Sequence, residues 1–150
     1  MKHFKFLLIN IVAFSFLFFL LSLLFPGQVI TSKTVTISGS KEKLVSKLND
    51  TTAWKQWNSF VQNNVVGESH SANSDTLNYA FTSINDNTLH SQFFLFDNAG
   101  NSVLLNWNLV EKLPWYKPWK KFSAMVLSKN VAVVMDSSLI KLKALVEAAP

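Results

Sequence analysis

The chain has no cysteine and no arginine, and only four glycines and four prolines among its 150 residues. Without cysteine there is no disulfide, no thiolate nucleophile, no Cys-ligated zinc or iron–sulfur centre and no lipoprotein processing site. Without arginine the chain lacks the planar fork that reads guanine edges and clamps phosphates in pairs, so no nucleic-acid partner is expected. Gly27, Gly39, Gly67 and Gly100 are too scattered to form a phosphate-cradling loop. The remaining absence is local: residues 6–25 contain no charge at all.

That run is Leu, Phe, Ile, Val and Ala, interrupted by Asn10, Ser15 and Ser22. As a helix it spans about 30 Å, the thickness of a bilayer's hydrocarbon core, and a helix satisfies its own backbone polar groups in lipid. A secretory signal has a shorter apolar stretch and small residues at its cleavage site. Here the run ends in bulky Leu23, Leu24 and Phe25 and is stopped by Pro26-Gly27. The expectation is one uncleaved transmembrane helix within residues 1–27 and a single domain over residues 28–150. Lys2 and Lys5 before the run favour a single pass with the N-terminus inside and the C-terminal domain extracytoplasmic. Lys33, Lys41 and Lys43 soon after it make the contrast shallow. Fourteen lysines against nine acids fit solubility and attraction to anionic lipid.

Beyond the run the pattern is α+β. Residues 28–38 are rich in β-branched side chains, with Val35 and Ile37 on one face. Ser38-Gly39-Ser40 then offers a cap for a short helix carrying Leu44, Val45 and Leu48. Trp54, Trp57 and Phe60 mark a second helical turn, and residues 63–75 are polar and weakly patterned. Strands are expected at 77–83, 89–96 and 102–110, joined by Asn85-Asp86-Asn87 and by the turn over residues 97–101. The final helix is expected over 118–147, with Val131, Met135, Leu139, Leu142 and Val146 as its apolar stripe.

This order resembles the helix-grip fold, an antiparallel sheet around a long C-terminal helix. The residues resemble a membrane-anchored member of the START-like superfamily (Bet v1-like, or SRPBCC), which includes polyketide cyclase/dehydrase and lipid-transport proteins. The resemblance rests on Leu24-Phe25-Pro26, the strand from Thr34 to Ile37, Glu42-Lys43-Leu44-Val45 through Leu48-Asn49-Asp50, and Trp54-Lys55-Gln56-Trp57-Asn58. At the other end it rests on Leu113-Pro114 and the helix closing in residues 139–147. The chain departs from it in the short segment 63–75, and in Ser138 and Met135 where the family carries glycine and an aromatic.

The resemblance implies a groove between sheet and last helix, holding a hydrophobic small molecule or lipid without catalysis or cofactor. Its expected lining is Phe81, Phe93 or Phe94, Leu95 or Phe96, Trp107, Met135 and Leu139, with Phe94 and Phe96 taken as the inward members. Against this stands a solid core, where large apolar residues most often sit, and an envelope interaction domain as the alternative. An enzyme of cyclase or dehydratase type is the third reading. Trp115, Tyr116, Trp119, Lys120 and Lys121 suit a membrane interface, rings at headgroup depth and cations toward anionic lipid. No catalytic constellation or metal site emerges: His70 sits in a polar stretch after Glu68-Ser69, and His90 has no second ligand at metal spacing. Glu111 and Asp136 form an acid–base pair only if the fold brings them together.

Overall fold

In the computed structural model the backbone is described for residues 2–61, 70–73, 75–82, 88–98 and 100–148. Helix α1 (Lys2–Leu23) is followed by strand β1 (Gln28–Ser38), helix α2 (Lys41–Asn49), a 3₁₀ turn (Thr51–Ala53) and the short helix α3 (Trp54–Trp57). Then come β2 (His70–Asn73), β3 (Thr76–Thr82), β4 (Thr88–Asn98), β5 (Ser102–Lys112) and the long helix α4 (Pro118–Glu147). The polar stretch after residue 63 thus contributes one short strand, and the β3–β4 turn lies outside the described residues. The strands form one sheet in the order β1-β5-β4-β3-β2, every neighbouring pair antiparallel.

Local chemistry explains the element ends. The Ser40 hydroxyl accepts from the Lys43 amide and caps α2, and the Asp50 carboxylate accepts from Ala53 N to cap the 3₁₀ turn. Gly100 (φ 79°) and Asn101 (φ 56°) take the left-handed conformations that turn β4 into β5. Pro118 opens α4, where its missing N–H costs nothing.

Strict alternation gives the sheet two faces. The register sets Val35, Leu105, Leu95 and Ile37, Val103, Asp97 side by side on the inner face. Val103, Leu105, Trp107 and Leu109 of β5 are all buried there. Helix α4 lies across this face and presents Met135, Leu139, Leu142 and Val146 to it. Between them sits an aromatic block. Trp57 packs edge-on to Trp107 at 5.8 Å between ring centroids, Phe93 stacks on Trp107 at 5.5 Å, and Trp54 meets Tyr79 at 4.8 Å. Three polar tips in the block find partners: Trp107 Nε1 donates to Ser91 Oγ (3.0 Å), Trp54 Nε1 to Leu48 O (2.8 Å) and Tyr79 OH to Asn49 Oδ1 (2.6 Å), while the buried Trp57 Nε1 has none among the described residues. Ser138 Oγ accepts from the Ser59 amide (3.1 Å), tying α4 to the turn after α3. At the sheet edge Lys33 of β1 bridges to Asp136 of α4 at 2.6 Å.

Two helices, His3–Leu23 and Pro118–Glu147, are long and apolar enough to cross a membrane by length and composition. The second packs on the sheet; the first stands away from it, almost entirely exposed.

Trp107 touches both halves of the block, so Trp107→Ala should lower unfolding free energy by about 3–5 kcal/mol. Asp136→Asn, removing a half-exposed ion pair, should cost no more than about 1 kcal/mol. Chemical denaturation of the chain in detergent, followed by tryptophan fluorescence for the Asp136 variant and by circular dichroism for both, checks the contrast.

Candidate functional site

The inner face of α4 changes character along its length. Its second half carries Met135, Leu139 and Leu142, which reach the sheet; its first half carries Ser123, Ala124 and Ser128, which are too short to do so. A cavity of about 360 Å³ remains between these small residues and the sheet. Its walls are Val29 and Thr31 of β1, Leu109 and Glu111 of β5, Leu89 of β4, Phe60, and Lys120, Leu127 and Val131 of α4. Phe60 also packs on Trp107 at 6.1 Å, so one ring closes the cavity against the aromatic block.

One wall residue is an acid in a largely apolar setting. Glu111 continues the inward alternation of β5 beyond Leu109, opposite Val29 on one side and Leu89 on the other. Burial pushes its carboxyl above the ordinary range, and the Lys120 charge nearby pulls it partly back. The cavity therefore has apolar walls and one acid–base pair, Glu111 with Lys120.

The cavity lies at the α1 end of the domain. Lys121 is buried, and its ammonium donates to Ser22 O at 2.9 Å and Phe25 O at 3.3 Å. A cation on carbonyls at and just past the end of a helix complements the negative end of its dipole. Around it Phe122 packs on Phe18 (5.1 Å) and Phe25 (4.7 Å), and Trp115 on Phe19 (6.3 Å). Trp115, Tyr116 and Trp119 are 64%, 57% and 60% exposed beside this joint, and Lys117 lies over the Tyr116 ring at 5.5 Å.

Several expected positions move. Phe94 and Phe96 are not on the inner face; the register puts them with Asn106 and Leu104 on the opposite side, where Phe96 is 53% exposed. Phe93 and Leu95 point inward instead. Trp107, Met135 and Leu139 sit in the solid half rather than on the cavity wall. Phe81 pairs with Leu89 in the ladder, and its side chain lies outside the described ones. Lys120 lines the cavity, and Lys121, expected at the lipid interface, is instead spent on the carbonyls of α1. Glu111 and Asp136 are not brought together: Asp136 is sixteen residues along α4 from Lys120, about 24 Å, and is held by Lys33. His90 faces the outer side of the sheet with Val110 and Gln92, while Glu68 and Ser69 lie outside the described residues. Among the described residues no three His, Asp or Glu side chains gather as a metal site.

No family model matches the sequence, and no curated protein matches it. Solved structures do match the fold. Protein MLL2253 from Mesorhizobium loti aligns over 81% of this chain and 99% of its own, with a TM-score of 0.60 and 13% identity. The KanY protein aligns over 82% of this chain and 100% of its own (TM-score 0.54, 17% identity). The di-domain ARO/CYC StfQ from the steffimycin biosynthetic pathway aligns over 80% of this chain and 51% of its own, with a TM-score of 0.50 and 9% identity. The chain shares the fold of these structures. At these identities the likeness speaks for the fold alone.

The raised carboxyl gives a sign-specific test. Because folded Glu111 holds its proton above the ordinary value of 4.5, the folded state binds more protons than the unfolded one in that window. Stability must then fall as pH rises through it. Wild type should lose stability relative to Glu111→Gln as pH rises above the ordinary carboxyl value, read from denaturation midpoints. Parallel pH profiles for the two would contradict the burial of this carboxyl.

Proposed function

We propose that the chain is a membrane-tethered, non-catalytic binding domain for a small hydrophobic molecule. Residues 1–27 act as the anchor and residues 28–150 as a START-like carrier or sensor. The observation that carries this is the cavity of about 360 Å³ between α4 and the sheet, apolar-walled and marked by Glu111 and Lys120. That volume is near the lower end of ordinary small-molecule sites. It suits one chain or one compact ring system, not a two-chain lipid taken whole. The pair at the wall gives a polar group on such a molecule a place to lie, its apolar body running toward Leu109 and Val131.

The tether is supported by α1 itself. Its one side-chain amide, Asn10, donates back to Phe6 O at 2.8 Å, which lowers the cost of placing it in lipid. The exposed rings of Trp115, Tyr116 and Trp119, level with the last turns of α1, fit the headgroup layer. With the domain held there by Lys121, the cavity lies next to the bilayer, the reservoir of apolar ligand. Lys2 and Lys5 favour an extracytoplasmic domain. A cyclase-type enzyme has less behind it: Glu111 and Lys120 are the charged groups on the described cavity wall, and His90 lies across the sheet from them.

Native mass spectrometry of the full chain released from detergent should show a stoichiometric apolar adduct. Val131→Phe, which narrows the cavity from the α4 wall, should reduce the adduct while leaving the circular dichroism spectrum intact. A clean apo mass after incubation with membrane lipid extract would favour an interaction domain. Separately, Trp115→Ala with Trp119→Ala should lower the blue-shifted fluorescence fraction in liposomes and leave adduct stoichiometry in detergent unchanged.

A further inference from the structure

Helix α4 carries a second apolar stripe, on the side away from the core. Val126, Val133 and Ile140 recur every seven residues and are 76%, 66% and 68% exposed. Ser123, Asn130, Ser137 and Ala144, also exposed, interleave with them. The two sets alternate strictly by four and three, the heptad pattern of a helix that packs on another helix. A surface meeting lipid or water has no need of this register.

We propose that this stripe is a parallel seam between two copies of the chain, α4 against α4. Three features select that partner. The small residues let the backbones approach closely, with the larger side chains, mostly β-branched, filling the alternate layers. Asn130 stands at the one position of the seam where an amide facing its own copy fixes register. Asp136 flanks the seam on one side, and Lys141 flanks it on the other, five residues further on. In a parallel pair this offset brings the acid of one copy to the lysine of the other, the charge arrangement by which flanking positions choose partner and direction. Asp136 remains half-exposed although one of its oxygens holds Lys33, and Lys141 is exposed with its contact to Ser59 at 3.3 Å. Parallel is also the sense that two copies hung from α1 in one bilayer would present. That consideration rests on the anchor reading above; the seam itself does not.

The lack of native cysteine makes the test clean. Val133→Cys and Ile140→Cys, which do not line the cavity, are placed singly in the full chain in membranes and oxidised. The expected result is a disulfide-linked dimer several-fold more abundant than from the exposed control Lys55→Cys. Asp136→Lys should reduce the Val133→Cys product, and adding Lys141→Asp should restore it by reversing the pair. A merely structural role of Asp136, through Lys33, would not be rescued in this way. Equal crosslinking at the seam and the control position, or a lipid-like emission from a polarity probe attached to the thiol of the Val133→Cys variant, would overturn the proposal. Ligand adducts scored on the same samples keep a failure of pairing distinct from a failure of the binding reading.

Discussion

The distance between α4 and the sheet is set at one end by a wedge of rings, and the cavity follows from that constraint. Trp54, Trp57, Phe93 and Trp107 are each at most 1% exposed and touch one another edge-on, tilted or stacked. Interiors pack at crystal-like density, so such a block does not compress. A single unbroken helix of 30 residues held off the sheet at its second half stays off it at its first. The residues there include Ser123, Ala124 and Ser128, which are too short to fill the gap. A void lined by short side chains forfeits dispersion contacts, an expense in stability that a bound apolar molecule would offset.

The Lys121 joint orients that void. Burying an ammonium is costly unless hydrogen bonds satisfy it, and here two carbonyls at the end of α1 do so. The joint, the Phe18–Phe122 and Phe25–Phe122 contacts, and the Leu113 amide donating to Gly27 O at 2.8 Å make the short link between α1 and β1 a fixed corner. The cavity, formed by the residues on either side of this corner, is thereby kept at the α1 end of the domain.

Much of the fold is legible in the sequence because its signals are periodic. The inward alternation of β5 and the stripe from Met135 to Val146 identify the core directly, and Pro118 marks the start of α4. Phe94 and Phe96 are misplaced by sequence reasoning because the run from Phe93 to Phe96 is apolar at every position, so alternation alone cannot say which pair faces in. Pairing with β5 decides it, and that is a tertiary fact. Large apolar residues are a poor guide to a cavity, since a packed core is their more common place. The informative signal is the opposite one, small residues on the inner stripe of the first half of α4. Glu111, an acid on a buried alternation, is visible in the sequence as an acid but not as a cavity wall. Lys121 cannot be separated from Lys120 by sequence, since only the position of α1 distinguishes them.

Helix α4 carries apolar residues on more than one face, and it shows how one helix can serve several surfaces at once. A seven-residue stripe drifts by about 20° per heptad on a straight helix. At its first turns the stripe borders the cavity, where Ser123 belongs to both and Leu127 lies beside it; by Ile140 it has rotated to the side away from Leu142. Within residues 119–128, therefore, the α1 joint, the cavity and the outer stripe share neighbouring side chains, and one substitution there acts on more than one of them. Beyond Val131 the two faces are separate, the inner one fixed by the aromatic wedge and the outer one clear of it. Phenotypes arising from the second half of α4 can thus be assigned to one face by side-chain direction alone, whereas those from the first half need the cavity and the joint measured together.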